Sequence, residues 1–409
     1  MSRDDALAVC LLTETYYPVT GGGETQARVL AAGFTRNGST VHVLTRRTGS
    51  RQAKKEELDG AVVWRLSPTG PGHLKKWGLV ITAFAKLWRL RHDYDVILVA
   101  GYRVMGIPSV IAARLFGKPC ILKADSIGEF SGEFFNPGLR RFRLRHDRFP
   151  VNLVLKMRNK LLGSADRFVA ISNVIADELI EHGASRDRIV RIPNSVNTDL
   201  YRPVDNAQKE QLRGELGIVP EMIVGIYTGR LVHTKGLPML LRCWRRVAER
   251  HGNVLLLLVG SGGVGIQNCE RQLKDFVREN ELENVVRFTG SVDDVYRYLQ
   301  ASDFFVFPTE REAFGISIIE ALACCLPVIT TATGGVNDIV DDGDNAIVVP
   351  VDDETALTEA LVTVMTDDVL TASLAAAGRQ TAIERYSENS ILRRYNEMFV
   401  DLAESVNDD

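Results

Sequence analysis

Short runs of β-branched and apolar residues recur along the chain, each bounded by Gly, Pro, Asn or Asp, and between them apolar positions return every three or four residues. Unbroken apolar runs of this length suit parallel strands covered on both faces, and the longer period suits the helices that cover them. The pattern predicts strands over 6–13, 41–45, 96–99, 119–123, 167–171 and 189–192, with helices such as 24–37, 109–116 and 173–182 between them. A second series follows over 223–228, 254–259, 285–289, 304–307, 328–331 and 346–349. The expected fold class is α/β, with two successive sheets of βαβ units.

The polar stretch NSVNTDLYRPVDNAQKEQL, Asn194 to Leu212, is turn-rich, carries Pro203 and is expected to be the linker. A chain of 409 residues exceeds what one core usually organises, which fits a first domain over 1–200 and a second over 201–389. Cutting the sequence there changes the electrostatic picture. The net charge of −3 resolves into 30 Lys+Arg against 19 Asp+Glu in the first half, +11, and 19 against 33 in the second, −14. A basic first half suits an anionic leaflet or a phosphate-bearing substrate, unless the opposite charges only help two domains face each other.

Neither the apolar run Ala6–Leu12 nor Val254–Val259 approaches the roughly 20 residues that span a bilayer, and no cleavage site follows the first. The expectation is a cytoplasmic chain with neither an export signal nor an integral membrane segment. Six cysteines (Cys10, Cys120, Cys243, Cys269, Cys324, Cys325) form no C-x-x-C pair, which favours reduced, buried thiols and argues against zinc.

In parallel sheets, ligands bind beyond the carboxyl ends of the strands, so the loops that follow strands carry the candidate chemistry. Tyr16 to Leu30 runs through Gly21, Gly22 and Gly23 into a helix near Glu24, where backbone amides can approach a phosphate or simply turn the chain. YTGRLVHTKG sets Arg230 and Lys235 at a strand end, a pair able to clamp a diphosphate or merely to be solvated; His233 between them reads as a loop histidine. VGSGGVG, Val259 to Gly265, matches G-x-G-x-x-G, yet the acids after the next strand, Asp293 and Asp294, fall too far along for a dinucleotide site. EREAFGISIIEALACCLPVI, Glu310 to Ile329, puts Glu312 on a loop and Glu320 in an apolar helix, with amides of Phe314, Gly315 and Ile316 at the helix start. Eight residues of helix amount to about 12 Å, so the two acids can address different parts of an elongated ligand, and Glu320 needs a partner such as an arginine if it is buried.

Taken together, these motifs resemble the retaining glycosyltransferases of family 4, over nearly the whole chain. The resemblance rests on Gly22, Gly23 and Glu24, the Arg230 and Lys235 pair, the Glu312-x7-Glu320 motif, the segment RIPNSVNTDLYRP and the glycine pair in TTATGGVNDIV. It implies a GT-B fold, in which two Rossmann-like domains face each other across a cleft and the last helix, here 390–409, crosses back to the first domain. By resemblance the first domain binds the acceptor and the second a nucleotide diphosphate sugar, probing the base near Val292. Glu312 would face the donor sugar and Glu320 the ribose, while Arg230 and Lys235, helped by Gly22, Gly23 and the loop of Phe314, Gly315 and Ile316, would stabilise the departing diphosphate. No metal is required by that scheme, and the D-x-D pairs Asp93/Asp95 and Asp342/Asp344 read as a strand flank and a turn. Where relatives carry a histidine on the acceptor side, this chain has Asp125 and Ser126.

Gly138 to Gly163 holds eight Lys+Arg against one acid, interleaved with Phe142, Leu144, Phe149 and Val151. With Leu74 to Arg91 it suggests either a peripheral contact with an anionic membrane and a lipid-linked acceptor, or solvated helix faces. Nucleic acid is a poor partner, because stacking aromatics and any recognised module are missing. Two other functions stay open: a nucleotide-sugar 2-epimerase of the same fold, and a non-catalytic sugar-nucleotide binding protein.

Overall fold

A computed structural model describes residues 7–19, 21–70, 73–136, 145–263 and 267–407. Ala6 of the first predicted strand, residues 138–144 of the basic stretch and Val264 and Gly265 of the glycine-rich loop lie outside the described residues. The chain divides into two compact units, one running to Asn194 and resuming at Ile391, the other Ser195–Ser390. The boundary expected at residue 200 thus falls six residues earlier, at Asn194.

The first unit is built on β1 (Val9–Thr13), β2 (Val41–Arg46), β3 (Lys55–Leu58), β4 (Ala61–Leu66), β5 (Val96–Ala100), β6 (Cys120–Ala124), β7 (Arg167–Ala170) and β8 (Ile189–Arg191), ordered β3-β4-β2-β1-β5-β6-β7-β8. All pairs are parallel except β3 with β4. That hairpin is absent from the expected strands, although Asp59-Gly60 between its arms has positive φ at both positions (50° and 80°), the geometry of a two-residue turn. On β1 every residue is buried, as a strand covered on both faces requires. Helices Gly22–Arg36 and Glu388–Asn407 cover one face: Phe34 meets Tyr395 edge-on at 5.7 Å and Phe399 at 5.4 Å. Their approach is close enough that a Cβ on Gly33 would lie 2.5 Å from the Leu392 side chain.

The second unit holds β9 (Ile223–Thr228), β10 (Val254–Val259), β11 (Val286–Gly290), β12 (Phe304–Phe307), β13 (Val328–Thr331) and β14 (Ile347–Val349), all parallel, in the order β11-β10-β9-β12-β13-β14. The expected linker is only partly irregular. Its second half forms the helix Asn206–Glu215, because Asp205 caps it by accepting the Gln208 N–H at 2.8 Å. Lys209 and Arg213 then anchor that helix to Asp303 at 2.6 and 2.7 Å. Among the described residues no single helix is long and apolar enough to cross a membrane.

Candidate active site

Strand order in the second sheet reverses at β9, so the carboxyl ends of β9 and β12 form a topological switch point, where open α/β sheets bind ligands. The turn His233–Lys235 follows β9, and the Glu312 loop follows β12. Thr234 stitches the two: its carbonyl accepts the Glu310 N–H at 3.0 Å and the Thr309 hydroxyl at 3.2 Å. Gly236, at φ 66°, permits this approach, since a Cβ there would sit 1.9 Å from the Pro308 carbonyl oxygen. The consequence is an ion pair between Lys235 Nζ and Glu312 Oε2. Lys235 is buried, with its ammonium 5.1 Å from the centre of the Phe307 ring, which stacks on Tyr227. Glu312 Oε1 accepts the Ala313 N–H at 3.1 Å, which fixes the carboxylate plane.

From the other side, Gly334 and Gly335 hold the Glu312 loop. The Gly335 N–H donates to the Glu312 carbonyl at 3.0 Å, and a Cβ on either glycine would fall 2.0–2.2 Å from the carbonyl oxygen of Glu312 or Ala313. Gly315, at φ 114°, then starts the helix Ile316–Ala323. The N–H groups of Phe314, Gly315 and Ile316 have no partner among the described residues and carry the positive end of the helix dipole. The Phe314 ring itself is buried against Tyr386 at 5.8 Å, so only its amide is available. One turn further, Glu320 is partly buried and its partner is the Tyr201 hydroxyl rather than an arginine.

Burial pushes the Glu320 carboxyl up to about 7, and the hydrogen bond from Tyr201 opposes that shift. A carboxyl that holds its proton more tightly when folded contributes stability below its unfolded value near 4.5, and that contribution is lost as pH rises to about 7. Glu320→Gln is therefore expected to raise the melting temperature by about 5 °C at pH 8 and by little at pH 5, read by calorimetry at the two pH values. An equal gain at both would contradict the assignment.

Arg230 is exposed after β9 and makes no ion pair among the described residues; its carbonyl accepts the Tyr227 hydroxyl at 2.8 Å. The structure therefore joins Lys235 to Glu312 directly but leaves Arg230 at the rim of the loop. His233 is an exposed loop residue. Val292 is half-buried beyond β11, beside the Ser261–Ser291 hydroxyl contact of 2.9 Å. The Gly262 N–H in the glycine-rich loop is occupied by Glu270 Oε2 at 2.8 Å, a physical reason against a phosphate at that amide.

In the first unit, Gly22 opens its helix, and virtual Cβ atoms on Gly23 and Gly101 would lie 3.6 and 3.5 Å from Asp125 Oδ2. The loops after β1, β5 and β6 are thereby drawn together, with Asp125 bonded by Lys123 and Ser126 bonded by Arg103. Three contributors escaped the sequence reading: Tyr201, Arg103 and Glu129. Tyr201 lies within the segment RIPNSVNTDLYRP, while Glu129 follows Asp125 and Ser126 in a turn, where no periodicity marks it. Asp95 accepts the Ala8 N–H at 2.9 Å and Asp342 the Val348 N–H at 2.8 Å, structural duties for both D-x-D pairs. No group of three or more His, Cys, Asp or Glu suited to a metal occurs among the described residues.

Family models match both halves: "Glycosyltransferase Family 4" over residues 20–200 and "Glycosyl transferases group 1" over 208–381. A D-inositol 3-phosphate glycosyltransferase of Saccharomonospora viridis is 27% identical over 385 residues, covering 90% of this chain and 86% of the relative. A namesake from Corynebacterium aurimucosum is 32% identical over 213 residues, 51% of each chain. Among solved structures, sucrose-phosphate synthase of Thermosynechococcus elongatus superposes with a TM-score of 0.78 at 21% identity, covering 97% of this chain and 100% of that one. Anabaena HepE, solved with UDP and glucose, gives 0.76 at 23% identity, covering 96% and 99%.

Proposed function

Because the chain belongs to the family 4, group 1 glycosyltransferases and has the GT-B fold, we propose that it moves a sugar from a UDP- or GDP-linked donor to an acceptor hydroxyl with retention at the anomeric carbon. The observation that carries this is the Lys235–Glu312 pair at the switch point, followed by three unpartnered amides. In the proposed reaction the bond from the anomeric carbon to the phosphate oxygen breaks and a bond to the acceptor oxygen forms. The acceptor's proton passes to the departing diphosphate, so no dedicated protein base is needed. Lys235, Arg230 and the Phe314–Ile316 amides meet the charge that grows on that diphosphate. Glu312 orients the sugar, Glu320 accepts ribose hydroxyls, and the base lies near Val292. The UDP in the Anabaena complex supports a uridine nucleotide as the first donor to test.

The test is to incubate the protein with UDP- and GDP-hexoses and follow both nucleoside diphosphate and new glycoside. Release of the diphosphate with a transferred sugar is expected. A changed sugar without transfer would mean an epimerase, and binding without turnover would mean a non-catalytic protein.

We also propose a peripheral, cytoplasmic-face contact with anionic membrane. Support comes from the packed helices His73–Arg89, Tyr102–Phe116 and Val151–Leu162, which expose Trp88, Leu115, Leu153, Val154 and Met157, with Phe149 beside the last helix. Exposed Arg89, Arg114, Arg145, Arg148, Lys156 and Lys160 surround them. Vesicles containing anionic phospholipid should co-sediment the protein at low salt and release it at high salt, and Met157→Glu should weaken the binding about tenfold. Failure to co-sediment at low salt would contradict the contact.

A further inference from the structure

Strand order in the first sheet reverses between β1 and β5, and the loops leaving β1, β5 and β6 line an open cavity of about 390 Å³. Its charged lining is Glu14, Glu24, Asp125 and Glu129 against a single cation, Arg103. That guanidinium is already engaged: it donates to Ser126, lies 3.2 Å from Glu129 Oε1 and stacks 3.5 Å from the centre of the Phe134 ring. Below the cavity, Lys123 Nζ bonds Asp125 and, at 3.1 Å, Asn194. Beside it, Arg46 lies 3.8 Å from Glu14. Each of these cations therefore already faces a carboxylate.

Glu129 is the built element of this cavity. Its side chain is 1% exposed, Oε1 accepts the Ser126 hydroxyl at 3.0 Å, and buried Oε2 has no hydrogen-bond partner. The loop cannot relax to satisfy it. Glu178 accepts the N–H groups of Gly128, Phe130 and Ser131 at 2.7, 3.2 and 3.0 Å, while Arg158 and Asn159 hold the carbonyls of Glu129 and Phe130. Burial, which outweighs the opposing Arg103 charge, pushes the Glu129 carboxyl up to about 7. A hydroxyl donates to the ionised carboxylate and accepts from the O–H of the protonated carboxyl, so it can pair with this group in either protonation state. Glu129 lines the cavity, so a ligand hydroxyl that reaches its unpartnered oxygen would remove the cost of leaving that buried atom unsatisfied.

We infer that this cavity selects an uncharged polyhydroxylated acceptor, a polyol or unphosphorylated sugar, and excludes acceptors that carry a phosphate. The inference rests on the proposed transferase reading, in which the first unit holds the acceptor. A phosphate dianion entering here would meet four carboxyl groups and, among the described lining residues, one cation, the Arg103 guanidinium, which already faces Glu129 and has only its Nε without a partner, so repulsion outweighs attraction.

The test compares inositol with an inositol monophosphate and glucose with glucose 6-phosphate, first by ligand-observed NMR on the wild-type protein and then as acceptors. Saturation transfer to a neutral compound and none to its phosphate is expected, with kcat/KM about 100-fold higher for the neutral member of the productive pair. Glu129→Gln should raise KM for that acceptor about tenfold with a smaller change in kcat, since it removes a binding partner. Equal or better binding or use of a phosphorylated member overturns the inference, as does a panel in which no neutral compound binds, or an unchanged KM in a folded Glu129→Gln protein. Donor consumption reports separately on the transferase reading: consumed donor with phosphate-preferring acceptors sinks this inference alone.

Discussion

Replacing Lys235 by Ala is expected to lower kcat about 10²–10³-fold while the second unit stays folded. Lys235 is the buried cation of the switch point, and its ammonium is oriented by Glu312 and by the Phe307 ring. Removing it withdraws charge stabilisation from a departing diphosphate and also frees Glu312, whose carboxylate would then repel that diphosphate. The stability cost should be modest, because the Glu312 side chain is 20% exposed and can recover water once unpaired. Steady-state kinetics beside a thermal melt separates the two effects: lost turnover with a retained transition is the expected result. Lys235→Arg should recover little, since a planar fork does not replace a compact ammonium in a site closed by Thr234, Gly236 and Phe307. Wild-type turnover in the Lys235→Ala protein would remove this residue from the chemistry.

Gly335→Ala is expected to lower turnover at least tenfold and the melting temperature by about 5 °C, although no atom of Gly335 need touch a substrate. The added Cβ would lie 2.2 Å from the Ala313 carbonyl oxygen and 2.8 Å from the Phe314 Cα, contacts that only a shift of backbone can relieve. The backbone that must shift carries Glu312 and the three amides, and the Gly335 N–H that holds the Glu312 carbonyl would move with it. Gly252→Ala is the control, because a Cβ there meets nothing within 4 Å and its effect should stay near 1 °C with unchanged kinetics. If Gly335→Ala behaves like the control, the glycine pair does not position the loop.

Much of this was legible because parallel strands buried on both faces leave unbroken apolar runs, and because chemistry in such sheets gathers where strands end. Strands β9, β10, β12 and β13 run over the residues the pattern predicted. The hairpin Lys55–Leu58 with Ala61–Leu66 was missed because three of the four residues of its outer arm, KEEL, are charged, as befits an edge strand with one exposed side. The helix Asn206–Glu215 was missed for a related reason: its sequence is polar nearly all round, and it is held by Asp205 and Asp303 rather than by an apolar stripe. At the site, Glu312 and Lys235 were readable from spacing, but their pairing was not, because it depends on β9 and β12 being neighbours across 77 residues of chain. Tyr201 as the partner of Glu320 was equally hidden, since no local periodicity links them.

A crystal structure of the protein soaked with a nucleoside diphosphate tests the central claim most directly. The account predicts the diphosphate oxygens on Arg230, Lys235 and the amides of Phe314 to Ile316, with the ribose hydroxyls on Glu320. A nucleotide seated instead on the Val259–Gly265 loop, with Lys235 still paired only to Glu312, would contradict it.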